Sequence, residues 1–86
     1  MDADFTKTFE KQFKKLPVQK QKKVRNTIKL FLEDIYSPSL RNHVLKDKWL
    51  GYYSISAGGD LRLHLKVINQ NKVLFVAVGN HSQLYK

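Results

Sequence analysis

The groups in this chain that can move a proton or grip a phosphate are few: His43, His64, His81, Asp60, Arg62 and Tyr85, with lysines around them. There is no cysteine nucleophile, and no serine lies in a nucleophile-elbow setting. Asp2, Asp4, Glu10, Glu33 and Asp34 all precede the first histidine, leaving Asp47 and Asp60 near the others. Paired-carboxylate glycoside chemistry is therefore poorly supported. The set suits phosphoryl transfer, in particular RNA cleavage by its own 2′-hydroxyl. In that reaction a base takes the hydroxyl proton, cations stabilise charge growing on the phosphate, and an acid protonates the departing 5′-oxygen. Histidine fills either proton role because its free pKa is about 6.5.

His81 carries the most weight, since it follows an apolar strand through Gly79-Asn80 and so stands on a rigid support while staying accessible. Arg62 alternates with Leu61 and Leu63, where a planar guanidinium can hold a phosphate by two hydrogen bonds; the alternatives are a solvated strand arginine or a salt bridge to Asp60. His64 shares that face and either lines the site or, the preferred reading, occupies the polar side of an edge strand. Lys66 reads as a phosphate-backbone contact. His43 lies in a loop among basic residues. Asp60 can orient a histidine, act as a base or cap a turn. Tyr85 can stack on a base, donate a proton or plug the edge of the core. Trp49, at the start of a strand, reads as core, with a stacking role as the alternative if it faces the groove. The histidine and aspartate spacings fit neither a helical His-x-x-x-His pair nor a compact zinc motif, so the expectation is no metal and no organic cofactor.

The elements that must position these groups follow from periodicity. Residues Ala3 to Lys7 suit a short opening strand, with Thr6 or Thr8 capping a helix toward Lys15 whose Phe9 and Phe13 share one face. Pro17 ends that helix or opens the next. Val24, Ile28, Phe31, Leu32 and Ile35 form an apolar stripe of helical period, and Pro38 stops it. From Ser37 to Lys48 no period holds, which reads as a loop containing Arg41, His43, Lys46 and Lys48. Trp49 to Ser54 reads as a strand and Ala57-Gly58-Gly59-Asp60 as a hairpin turn. Leu61, Leu63, Leu65 and Val67 alternate with Arg62, His64 and Lys66, which predicts one core face and one basic, wet face. Asn69 to Lys72 turns the chain again. Val73 to Val78 is nearly all apolar, as a central or helix-covered strand should be. The tail after Gly79 reads as a brief strand or turn. The expected architecture is α+β, with two N-terminal helices packed on one face of a small, mainly antiparallel sheet.

With 86 residues the chain is long enough for a single domain, 1–86, built on one thin core. Lys and Arg total 16 against 7 Asp and Glu, giving net charge +9, and residues 7–29 hold nine basic side chains opposed only by Glu10. A solubilising face is usually mixed in sign, so this block favours a polyanion or a long acidic protein segment as partner. The N-terminus lacks a basic segment followed by an apolar stretch, and no run approaches the ~18 apolar residues of a membrane span. No membrane association and a cytoplasmic location are expected.

The stretches His43-Val44-Leu45-Lys46-Asp47-Lys48-Trp49-Leu50-Gly51-Tyr52-Tyr53, Gly59-Asp60-Leu61-Arg62-Leu63 and Val78-Gly79-Asn80-His81-Ser82-Gln83-Leu84-Tyr85 together resemble the RelE superfamily of toxins, and within it the YafQ-type branch. The resemblance spans practically the whole chain and rests on order and spacing more than on any one piece. It implies a RelE-like fold and a ribosome-dependent mRNA endonuclease that inhibits translation, the toxin of a type II toxin–antitoxin pair. It also implies a cognate antitoxin whose tail wraps the toxin, and as further partners the translating ribosome, its mRNA, and ribosomal RNA met by the basic helix residues. By the same resemblance His81 matches the principal catalytic histidine and Tyr85 the aromatic that accompanies it. His43 matches the branch's loop histidine, Asp60 its hairpin acid, and Arg62 the superfamily's phosphate-holding arginine. Two positions depart: Ser56 stands where the branch has a further histidine, and Leu61 where it has an aromatic. They leave a catalytically weak or inactive module, binding an antitoxin or the ribosome, as the alternative.

Overall fold

The computed structural model describes residues 1–85. Strand β1 (Asp2–Phe5) opens the chain, followed by helices α1 (Lys7–Lys14) and α2 (Val18–Glu33). A 3₁₀ turn at Pro38–Leu40, the two-residue strand β2 (His43–Val44) and a second 3₁₀ turn at Asp47–Trp49 lead to β3 (Tyr53–Ser56), β4 (Leu61–Asn69), β5 (Lys72–Asn80) and a one-turn helix α3 (His81–Leu84). The five strands form one sheet in the order β1-β5-β4-β3-β2, antiparallel except for the β1–β5 pair. This is the expected α+β arrangement of two helices over a mainly antiparallel sheet.

Thr6 caps α1: its hydroxyl accepts from Phe9 N at 3.0 Å and donates to the Val76 carbonyl at 3.0 Å. Because β1 stops at Phe5, the edge of β5 beyond it needs other partners, and Gln12 Oε1 accepts the Val78 amide at 2.8 Å. Gln21 on α2 donates to the Phe13 carbonyl at 3.1 Å, tying the end of α1 to the next helix. On the helix side Val24, Phe31, Ile55, Leu63, Leu65, Val73 and Phe75 are buried. Phe75 is the hub, with ring centroids of Phe5, Phe9 and Phe31 at 5.5, 5.9 and 5.9 Å.

Three expectations are corrected. Trp49 is not in a strand but ends the second 3₁₀ turn, and the strand after it begins only at Tyr53. The stretch from Ser37 to Lys48 holds two short elements, because the Pro38 turn and the β2–β3 pairing need no helical or strand period to form. The second face of β4 is not uniformly wet, since His64 is 0 % exposed. Ala77, Leu84 and Leu45 are buried as well yet stand apart from the helix-side core cluster. Trp49 and Tyr85 pack on His64, which opposes Ala77, so part of that second face is covered rather than wet.

Candidate active site

Register places the chemistry on the sheet face away from α1 and α2. In an antiparallel ladder directly opposed residues point the same way. One row of opposed residues is therefore His43, Ser54, His64 and Ala77; the next is Ser56, Arg62 and Gly79. Arg62, His64 and Lys66 share β4's outer face, about 7 Å apart in succession.

His81 leaves the end of β5 on this side. Asn80 is still extended (φ −83°, ψ 171°), so His81 keeps the direction of Gly79, two residues back. Gly79 opposes Arg62, and His81 follows it by two residues as the chain leaves the ladder. The turn of α3 is closed by a capping box: Asn80 Oδ1 accepts from Gln83 N at 2.8 Å, and Gln83 Oε1 accepts from Asn80 N at 2.9 Å. That turn brings Tyr85 back over the sheet. The rings form a chain: His81–Tyr85 at 4.4 Å, Tyr85–His64 at 5.2 Å and His64–Trp49 at 4.4 Å between centroids. At the far end Trp49 Nε1 donates to the Leu84 carbonyl at 3.2 Å.

The Arg62 guanidinium folds back onto the hairpin. Its Nη1 donates to Gly59 O at 2.8 Å, Leu61 O at 3.2 Å and Ser56 Oγ at 3.3 Å. Among the described residues nothing engages Nε or Nη2, the edge that grips a phosphate with two parallel bonds. Ser56 therefore steadies Arg62, and it also accepts from Gly58 N at 3.2 Å. Asp60 is exposed at the hairpin tip, next to the last registered pair, Leu61–Asn80, whose other neighbour is His81. No hydrogen bond or ion pair of the described residues holds Asp60. It lines a cleft of about 230 Å³ with Lys20, Lys23, Asn80 and Gln83.

His43 is exposed, and its Nδ1 donates to the Arg41 carbonyl at 3.0 Å, which leaves Nε2 as the acceptor of the neutral ring. Arg41 adopts a left-handed conformation (φ 50°) in presenting that carbonyl. His43 sits on β2, three strands from β5, about 14 Å at ordinary spacing. The structure thus brings His81 and Tyr85 into ring contact at the end of β5, where Gly79 opposes Arg62, while Asp60 lines the cleft toward α2 and His43 stands apart. His64 is held neutral: burial first, and the neighbouring charge of His43 second, lower its pKa from 6.5 to about 4. Among the described residues, no group of three or more His, Cys, Asp or Glu could hold a metal ion, and no helix is long and apolar enough to cross a membrane.

Sequence reasoning missed the capping box, although Asn80-His81-Ser82-Gln83 carries its spacing. It also missed the latch from Trp49 to α3 and the burial of His64. Neither has a local signal, because both depend on the C-terminal turn folding back over β4.

The family model described as "Bacterial toxin of type II toxin-antitoxin system, YafQ" matches residues 1–86. Among solved structures the chain is similar to YafQ from E. coli strain BL21(DE3), with TM-score 0.82 and 21% identity over 99% of this chain and 98% of that one. It is similar as well to the YafQ chain of an E. coli DinJ–YafQ complex, with TM-score 0.78 and 22% identity over 99% and 98%. A conserved hypothetical protein from Helicobacter pylori matches with TM-score 0.69 and 26% identity over 99% of each chain. No curated protein matches.

Proposed function

The chain belongs to the YafQ family of bacterial toxins of type II toxin–antitoxin systems, which act as ribosome-dependent mRNA endoribonucleases that inhibit translation, and from that premise we propose how its own side chains cut RNA. His81 is the general acid and Arg62 the phosphate clamp. Asp60 is the base, and Tyr85 the group that orients His81 and stacks on a base of the message. The observation that supports this reading is that Arg62 opposes Gly79, two residues before His81, and that nothing among the described residues engages its Nε–Nη2 edge.

In the reaction Asp60 takes the proton of the 2′-hydroxyl as that oxygen bonds to phosphorus. Arg62 meets the charge gathering on the non-bridging oxygens. The bond from phosphorus to the 5′-oxygen breaks, and His81 delivers a proton to that oxygen. The products are a 2′,3′-cyclic phosphate, or its opened 3′-phosphate, and a free 5′-hydroxyl. His43, three strands away, contacts the message at a neighbouring nucleotide and is the reserve candidate for the base. Few acids and bases stand here, so much of the acceleration must come from an mRNA delivered in the attacking geometry, a task that falls to the ribosome. The nine basic residues between Lys7 and Lys29 dock on ribosomal RNA, and the same excess suits an acidic cognate antitoxin.

The test is to induce wild type, His81→Ala, Asp60→Asn and His43→Gln in growing bacteria and map transcript ends. Expected are intragenic cuts within translated regions for wild type, none for His81→Ala, and a deeper loss for Asp60→Asn than for His43→Gln. Wild-type cells without new ends would overturn the cleavage reading. The second reading, inhibition by occupancy, is favoured by one observation, the engagement of Arg62 Nη1 by the hairpin. Growth arrest surviving His81→Ala with Arg62→Ala, with transcripts intact, would select it.

A further inference from the structure

Helix α3 spans four residues, His81–Leu84, too few to be stable on its own, since a first helical turn costs more order than one hydrogen bond returns. What holds it comes from outside the turn. Leu84 is 4 % exposed, and Trp49 Nε1 caps the Leu84 carbonyl at the helix end. Behind Tyr85 stands His64, fully buried with both ring nitrogens unpartnered among the described residues, as is the Oγ of Ser54 opposite it.

A buried imidazole without hydrogen bonds is less favourable than an apolar side chain of the same size. Stability therefore does not account for a histidine here. Shape does: the ring meets both Trp49 and Tyr85 in T-shaped contacts, at interplanar angles of 81° and 64°. Such contacts set the polarised edge of one ring against the face of another and so fix a plane as well as fill space. Tyr85 then passes that constraint to His81, whose ring lies tilted 33° to it. We propose that His64 and Trp49 are positioning residues for the cleavage, forming the buried wall that sets the plane of Tyr85 and, through it, the imidazole of His81. This rests on the reading of His81 as the acid.

The test uses the full chain on ribosomes programmed with a defined mRNA, together with NMR of the His81 ring. His64→Leu keeps the volume and removes the flat ring. It should fold with a Tm no lower than wild type and leave KM unchanged, while kcat falls roughly tenfold to a hundredfold from misplacement alone. The His81 resonances should shift as Tyr85 moves. His64→Phe, which restores a ring, should recover part of kcat. Wild-type kcat with unshifted His81 resonances in His64→Leu would overturn the proposal, as would a kcat loss that only tracks the unfolded fraction. If His64→Leu does not fold, Trp49→Phe decides. It keeps a ring but loses the Nε1 donor, so kcat should drop at constant KM, and an unchanged kcat would overturn the proposal. A wild-type chain that cuts nothing would defeat the cleavage reading instead, and the His81 resonances would still judge the positioning one.

Discussion

Gly79→Ala separates the contribution of the C-terminal capping box from that of the strand beneath it. Gly79 opposes Arg62 in β5, and a Cβ at this position would meet Gln83 Oε1 at 2.7 Å and Gln83 Cβ at 3.3 Å. That Oε1 is the acceptor for Asn80 N, so the added methyl competes for the space of half the capping box. Gln83 can swing away, at the loss of one hydrogen bond worth about 1 kcal/mol. Against this, replacing glycine by alanine within a strand gains about 0.5–1 kcal/mol of conformational entropy. The two nearly cancel in the global balance, and Tm should hardly move. The local balance differs, because α3 is a single turn and the whole loss falls on it; about 1 kcal/mol is roughly a fivefold change in the ratio of ordered to disordered turn. Initial rates of mRNA cutting on ribosomes for wild type, Gly79→Ala, Gln83→Ala and the double variant give the answer. Each single change should lower kcat by up to roughly fivefold, the limit set by the ratio of ordered to disordered turn. The double variant should be no slower than Gln83→Ala, since the acceptor that the methyl displaces is already gone. An equal penalty for Gly79→Ala in both backgrounds, or a Tm that falls with the rate, would refute this account and place the loss in the strand.

Two further outcomes follow from the packing. His64 has a folded pKa of about 4 against 6.5 unfolded, so between these values the unfolded chain binds the extra proton. Its contribution to stability is then complete above pH 6.5, declines as pH falls toward 4 and levels off below, by up to about 3 kcal/mol. Urea unfolding of wild type and His64→Phe at pH 7, 5 and 4 should show a shallower acid decline in the variant; parallel declines would refute the buried, neutral histidine. Phe75→Ala removes the ring that joins Phe5, Phe9 and Phe31 and should cost about 3–5 kcal/mol of unfolding free energy in the same assay. A loss below about 1 kcal/mol would show that the helices do not depend on that hub.

The layers were legible because their signals are periodic. The stripe from Val24 to Ile35 and the alternation from Leu61 to Val67 each state which side meets the core, and Gly58-Gly59 marks the hairpin; both glycines have positive φ. Where the chain lacks a period, prediction was poorer. Trp49 looked like the first residue of a strand, yet the residue before Leu50 closes a 3₁₀ turn, and its indole serves a carbonyl 35 positions later. His64 obeyed its alternation and still was buried, because alternation gives the face and not what covers it. The cover here is Trp49 and Tyr85, the latter set by the α3 turn whose placement depends on the cap, Leu84 and Trp49 together.

That dependence bears on how so small a sheet can present an acid accurately. A histidine on a free tail would sample many orientations and lose the advantage of proximity. A histidine inside the ladder, like His64, is fixed but out of reach, with no exposed surface at all. His81 occupies the position between: one residue beyond β5, so that the strand sets its origin, and at the start of a turn whose other end is tied down by Trp49 and Leu84. In the proposed reading the buried histidine contributes rigidity and the exposed one the proton, with Tyr85 touching both. The two imidazoles differ in task because the same turn covers one and displays the other.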